Sequence, residues 1–313
     1  MLQYLIILLD DTSISYCQYA NPKTKRRLIS PEHLKAGILY GMKENLMIQF
    51  IYPDYKLPLE YESIIETIDH IKIKPSKQCE GADIIVFDNW NEWQNHLLEK
   101  EKVYVLRTDK KDLFANYRQM GACLSEITRL NIVITDLDTF TEVDFEMYKA
   151  MLSGLSDVLA VSYGQGGLPQ LNLLTDRMLL DKMNNCNAGW ENITLAPNGK
   201  FYICPAFYLE DETDSIGDTA DGLDIKNLQL YKLVYAPLCR KCDAYQCKRC
   251  IYLNRKTTNE VNTPSHEQCV ISHIERNASR DLLVNIRKHR IFLPDKDIKE
   301  ITYLDPFEIK EEI

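Results

Sequence analysis

Short apolar runs and segments of helical period alternate along the first 165 residues. Residues 5–9, Leu-Ile-Ile-Leu-Leu, form an uninterrupted apolar run of strand length. Ser30-Pro31-Glu32 follows as a helix start, with Ser30 as N-cap and Pro31 in the first turn, and predicts a helix to about Glu44. The same reading gives strands at 47–51, 71–74, 83–87, 103–106 and 131–135. Between them it gives helices at 60–68, at 92–99, through Leu113 and Tyr117, and at 143–152. A last strand is expected at 158–163, running into Gly164-Gln165-Gly166-Gly167.

Strands that alternate with helices imply βαβ units and a parallel sheet. Continuously apolar strands fit a sheet with at least one covered face. About six units are too few for a closed eight-stranded barrel, so a partial barrel or an open doubly wound sheet is expected. No internal repeat or low-complexity linker interrupts the chain. The stretch 209–224, with Glu210-Asp211-Glu212, reads as an acidic solvated loop, and the charged tail after Leu293 as peripheral.

Composition sharpens this picture in two places. The 313 residues carry a formal net charge of -9, which argues against a general nucleic-acid binder, since phosphate contacts need a Lys/Arg surface. The longest apolar run spans only 4–9, too short for a membrane span, and the N-terminus lacks the pattern of a signal peptide; a cytoplasmic protein is expected. The second place is cysteine. Of ten cysteines, seven (Cys186, Cys204, Cys239, Cys242, Cys247, Cys250, Cys269) fall between 186 and 269, leaving Cys17, Cys79 and Cys123 elsewhere. In a reducing compartment such clustering reads as metal binding or redox chemistry rather than disulfides.

The seven form two patterns. Cys186 is followed by twelve residues, Gly199, four residues and Cys204. The turn sequence Pro197-Asn198-Gly199-Lys200 predicts a hairpin that brings these two cysteines together. Next comes Cys239-x2-Cys242-x4-Cys247-x2-Cys250, then eighteen residues and Cys269. Thiolates suit zinc or iron–sulfur centres, and seven nearly fill two four-ligand sites. His266 and His273 flank Cys269 as stray candidates, more readily read as surface residues. His33, His70 and His96 read as structural or exposed.

On these residues, together with Cys186-Asn187-Ala188-Gly189-Trp190 and Phe201-Tyr202-Ile203-Cys204-Pro205, the region from about 170 to 280 resembles the SPASM domain of peptide-modifying radical SAM enzymes. It departs from that family in its second knuckle, which has x4 and x2 where the family has x5 and x3. The resemblance implies two auxiliary [4Fe-4S] clusters. The first would be held by Cys186, Cys204 and Cys250, the second by Cys239, Cys242, Cys247 and Cys269. The family often has a further cysteine just before the first; Leu180, Asp181 and Lys182 stand there. The first cluster would then keep an open iron or recruit a distant ligand.

The resemblance extends to the N-terminal body, as a partial (β/α)6 barrel of radical SAM type at 1–168. It is followed by a SPASM module with a β-hairpin and helices at 169–285 and a tail at 286–313. Radical SAM enzymes carry C-x3-C-x2-C after the first strand. Here Asp10, Ile14 and Cys17 occupy those positions, so the S-adenosylmethionine-cleaving cluster is expected to be absent. Ile51-Tyr52-Pro53-Asp54 stands where the family has Gly-Gly-Glu-Pro. Cys17 reads as a core residue, or else a residual ligand or a thiol that acts on peptide. Acids at predicted strand ends (Asp88, Asp136 and Asp138 among them) read as helix caps or as an acidic mouth facing a substrate. Gly164 to Gly167 lacks a phosphate-binding fingerprint.

The chain as a whole resembles maturases of CXXX-repeat peptides, found beside a radical SAM enzyme and a Cys-repeat precursor peptide. This implies an accessory role in ribosomal peptide modification, with that peptide or that enzyme as partner and no S-adenosylmethionine. The alternatives are a zinc-stabilised interaction module, or a stand-alone iron–sulfur enzyme using an open cluster site.

Overall fold

The computed structural model describes residues 2–183 and 185–306. The chain runs β1 (Tyr4–Leu8), α1 (Pro31–Lys43), β2 (Met47–Ile51), α2 (Leu59–Ile65), β3 (His70–Pro75), β4 (Ile84–Phe87), α3 (Trp90–Gln94), β5 (Val103–Thr108), α4 (Lys110–Cys123), β6 (Arg129–Ile134) and α5 (Glu142–Gly164). It continues through β7 (Gln170–Leu171), α6 (Thr175–Leu179), β8 (Asn192–Leu195), β9 (Phe201–Tyr202), α7 (Pro205–Glu210), the small hairpin β10 (Gly217–Asp218) and β11 (Gly222–Leu223), α8 (Ile251–Thr258) and α9 (His266–Arg287). The Ser30 side chain caps α1 by accepting from the His33 N–H at 3.2 Å, and Asp109 caps α4 by accepting from Asp112 at 2.8 Å.

Nine strands form one sheet in the order β7-β6-β5-β4-β3-β2-β1-β8-β9. Every neighbouring pair is parallel except the β8–β9 hairpin. This is the α/β partial barrel expected from the sequence, with one addition. β8, the first strand of the cysteine hairpin, pairs with β1 and sets Tyr4 opposite Asn192. Both β7 and β8 therefore continue the sheet past residue 168.

The strands are apolar on both faces, but the faces differ. Leu5 and Ile7 of β1, with Ile48 and Phe50 of β2, pack outward under α1 against Leu34 and Ile38. Ile6, Leu8, Ile51, Ile73, Val86 and Val105 point to the inner face. There they meet the loop after β1, through Ile14, Tyr16, Cys17 and Tyr19, and α7, through Ala206 and Tyr208. The barrel interior is thus filled by the chain itself.

Three expectations need correction. Residues 158–163 are not a strand; they are the last turns of α5. Leu152, Leu155, Leu159 and Tyr163 recur at helical spacing and are buried, while Val158 and Val161 are exposed at 41% and 60%. The apolar run is one wide helical face seen edge-on, and α5 packs along α9. The helices expected at 60–68 and 92–99 end early, at Ile65 and Gln94. Finally, the acidic stretch 209–224 is no plain loop: it holds the end of α7 and the β10–β11 hairpin. The tail folds back, burying Ile298 and Asp305. No helix among the described residues is long and apolar enough to cross a membrane.

Candidate metal centres

The hairpin positions the first cysteine group. Asn187 and Gly189 both take positive φ, +49° and +80°, turning the chain sharply after Cys186. A Cβ on Gly189 would stand 2.9 Å from the Tyr231 ring, so this turn needs glycine twice over. The Cys186 N–H donates to the Lys248 carbonyl at 3.0 Å, which ties the turn to the knuckle carrying Cys250. Gly199, the glycine of the spacing pattern, has φ +79° and faces the His33 ring at 2.5 Å from its ideal Cβ. It closes the turn that returns the chain to Cys204.

Cys204 and Cys250 sit at the N-caps of α7 and α8. Burial pushes the Cys204 thiol up, and nearby Cys250 and Cys186 push the same way, while the N–H groups of Phe207 and Ala206 favour its thiolate. Cys250 is pushed up to about 12 by burial, with Cys186 adding to it and the Leu253 and Tyr252 N–H groups opposing. Cys186, also raised by burial, is eased by the N–H of Ala188 and the side chain of Asn192.

The second group surrounds the knuckle. Cys239 opens a single helical turn, and the Cys242 N–H donates back to its carbonyl at 3.1 Å. The N–H groups of Ala244 and Arg249 donate to the sulfurs of Cys242 and Cys247, each at 3.4 Å. Cys269 comes from the first turn of α9. Burial pushes its thiol up, and Cys247, Cys239 and Cys242 reinforce the shift. Burial likewise raises Cys239 to about 12 and Cys242 to about 11. Cys186 and Cys250 thus act on Cys204, and Cys239, Cys242 and Cys247 on Cys269, while Cys247 also acts on Cys250 and couples the two groups.

His273, expected on the surface, is only 5% exposed. Its Nε2 lies 3.4 Å from the Cys242 sulfur and its Nδ1 bonds the Leu304 carbonyl. A carbonyl only accepts, so Nδ1 carries the proton, and burial keeps the ring neutral by lowering its pKa. A ring so held offers the Nε2 lone pair toward sulfur, the arrangement seen when histidine ligates metal. The sequence did carry a signal: His273 lies four residues after Cys269, on the same helical face. His266 is half-exposed and pairs with Asp305.

The loop after β1 is tied down at several points. Asp10, buried completely, accepts from the Thr12 N–H at 2.8 Å, the Thr12 hydroxyl at 2.6 Å and the Tyr55 hydroxyl at 2.9 Å. Asp11 pairs with Arg27 at 3.0 Å and accepts from the Tyr208 hydroxyl. The Ile14 N–H donates to the Tyr52 carbonyl at 3.0 Å. The acids at strand ends also have local partners. Asp88 pairs with Arg107, Asp136 accepts from the Lys110 N–H at 2.9 Å, and Asp138 reaches Lys256 at 3.4 Å. Cys79 and Cys123 pack against the helix-covered core.

Thiols alone do not account for the charge here. Arg249 is 1% exposed; its Nη2 donates to the Tyr231 carbonyl at 2.7 Å, but its Nε and Nη1 have no partner. Burial lowers its pKa, while Cys239, Cys186 and Cys247, drawn from both groups, act to hold its charge. A buried, half-unpaired guanidinium between two sets of thiols fits an anionic occupant. No three His, Cys, Asp or Glu side chains among the described residues are gathered to hold a single ion. Thiolates around one zinc, each about 2.3 Å from the metal, must crowd together, whereas a four-iron cluster takes each thiolate on a separate iron.

No family model and no curated protein matches the chain. Solved structures do. His-tagged anSMEcpe with bound AdoMet superposes with a TM-score of 0.63 at 12% identity, over 92% of this chain and 96% of that one. Native anSMEcpe with bound AdoMet and Kp18Cys peptide gives 0.59 at 11% identity, over 92% and 100%. The complex with Cp18Cys peptide gives 0.59 at 12%, over 91% and 99%. At such identity the likeness is one of fold, and the chain has the partial-barrel α/β fold of these radical SAM enzymes.

Proposed function

We propose that this chain is an accessory maturase in ribosomal peptide modification. In this reading it holds two auxiliary [4Fe-4S] clusters and binds a Cys-repeat precursor peptide or the radical SAM enzyme that acts on it. It cleaves no S-adenosylmethionine itself. The observation that carries the reading is a contrast within one fold. Seven thiols, from buried Cys239 through half-buried ones to exposed Cys186, stand on the SPASM-like spacing, while the loop after β1 has Asp10 and Ile14 in place of ligands and is tied by hydrogen bonds within itself and to the loop after β2. Isoleucine offers iron nothing, and the Asp10 carboxylate is already occupied.

Cys186, Cys204 and Cys250 would hold the first cluster, and Cys239, Cys242, Cys247 and Cys269 the second. When bound, such clusters supply one-electron transfer or a Lewis-acidic iron. The protein's own part is to aim the N–H groups of helix starts at the thiols and set Arg249 between the groups. On this division 1–168 is the degenerate barrel, 169–285 the cluster module that lends β7 and β8 to the sheet, and 286–313 the tail. Two of the fold neighbours carry bound peptides, which supports a peptide partner.

Anaerobic purification tests the reading. A brown protein absorbing broadly near 400 nm, with about eight irons per chain, is expected. A colourless zinc protein would replace the proposal with an interaction module. Incubation with S-adenosylmethionine and dithionite should release no 5'-deoxyadenosine; release would overturn the accessory role. Pull-down with the Cys-repeat precursor peptide, with and without Cys186→Ala, tests whether the first cluster takes part in binding.

A further inference from the structure

We propose that Cys17 is the fourth protein ligand of the first cluster, completing the set Cys186, Cys204 and Cys250. This rests on the cluster reading above and removes its open iron site. Cys17 comes from the β1 loop, in the barrel part of the chain, and sequence order gives no reason to join it to a hairpin cysteine. The fold does. β8 lies directly beside β1, so the loop leaving β1 and the hairpin leaving β8 emerge side by side. Cys17 and Cys204 pack against the same inner-face core, together with Tyr16 and Tyr252. The three thiols electrostatically closest to Cys17 are Cys186, Cys250 and Cys204, all members of one group.

The backbone that presents Cys17 is fixed from below. Arg107, 7% exposed on β5, donates through Nε to the Cys17 carbonyl at 3.2 Å and through Nη2 to the Tyr19 carbonyl at 2.8 Å. Asn21 donates through Nδ2 to the carbonyls of Asp11 and Ser13 at 2.8 and 2.9 Å, closing the loop on itself. Independent of any cysteine, two buried donors nearby lack partners. One is the Tyr19 hydroxyl, which has Cys17 and Cys204 among its electrostatic neighbours. The other is the Nε and Nη1 edge of Arg249, with Cys186 among its neighbours. Unpartnered buried donors beside Cys17, Cys204 and Cys186 are what an anionic iron–sulfur group would satisfy. On loading, the Cys17 thiol would give its proton to solvent and its sulfur would displace a water or added thiol from the fourth iron, with no change in oxidation state.

The test compares wild type, Cys17→Ala, Cys17→Ser and Cys79→Ala after anaerobic iron–sulfide reconstitution. Iron analysis, Mössbauer spectra and electron paramagnetic resonance of the proteins before and after dithionite are the readouts. Wild type and Cys79→Ala should hold about eight irons, and Cys17→Ala about seven with a three-iron signal or fewer still, the second cluster unchanged. Cys17→Ser should keep the iron with an altered spectrum, because a serine oxygen can replace sulfur. A further arm needs no variant. Added 2-mercaptoethanol should leave the wild-type spectrum unchanged, since no iron is open. A wild-type spectrum that shifts with the thiol, or a Cys17→Ala protein matching wild type in iron and spectrum, overturns the role of Cys17 while leaving the clusters standing. Wild type without iron would instead overturn the cluster reading itself.

Discussion

Buried charge sets the chemistry at the scale of single residues. Arg249 and Glu275 are both buried near the knuckle, and burial alone disfavours charge on each. For Arg249 the surrounding thiols act in its favour. Glu275 has no cation in contact; it accepts from the Tyr148 hydroxyl at 2.7 Å and from Gln246 Nε2 at 3.3 Å. Burial pushes its carboxyl up to about 7, and those two hydrogen bonds offset only part of the rise. The sign for stability follows. A carboxyl raised in the folded state is stabilising relative to its ionised form below the unfolded value near 4.5, and that advantage is lost as pH rises toward 7. Glu275→Gln cannot ionise. The stability of the variant relative to wild type should therefore rise by about 3 kcal/mol between pH 4 and pH 8. Urea unfolding at both pH values measures it, and a difference independent of pH would show that Glu275 does not titrate in this window.

Among the elements, α5 shows how period decides a ladder of apolar residues. Its C-terminal half is rich in Val, Leu and Tyr and ends in a glycine cluster, which reads as a strand before a turn. Once Leu152, Leu155, Leu159 and Tyr163 are set on one face, the same residues read as a long helix against α9. The glycines then serve as its end. The Gly167 N–H donates to the Ser162 carbonyl at 2.9 Å, and Gly166 takes φ +91°. Two neighbouring substitutions separate the readings. Val158→Asp should cost within about 0.5 kcal/mol, because the side chain faces solvent, while Leu159→Asp should cost about 4 kcal/mol or more by burying a carboxylate. Thermal melts followed by circular dichroism compare them; equal damage from both would contradict the helical assignment.

For the molecule as a whole, the cysteine module and the barrel are one sheet. β8 carries the hairpin between Cys186 and Cys204 and is hydrogen-bonded along β1, so if the proposed clusters are bound, removing them should loosen the barrel beside β1. Anaerobic chelation of iron is expected to lower the melting temperature while leaving a single transition, coincident in far- and near-ultraviolet circular dichroism. Two separated transitions would mean that the module unfolds alone. The strand series and the hairpin turn were legible because period and turn chemistry act within a few residues. The cysteine spacing was legible for the same reason, whereas which thiols share a centre came from the family resemblance and not from spacing. Less was legible where long-range packing chose between local options, as at the end of α5, at His273 and along the tail that reaches its ring.

By itself, the sequence determined the alternation of strands and helices, the positions of the seven clustered cysteines, and the presence of Asp10 and Ile14 ahead of Cys17. Those are properties of neighbouring residues and of residue identity. Only the tertiary structure decided that β8 joins the sheet beside β1, that the β1 loop closes over the barrel's inner face, and that Cys17 packs against the same core as Cys204. A parallel pairing joins segments far apart in the chain, and no local pattern encodes which strand will be the neighbour.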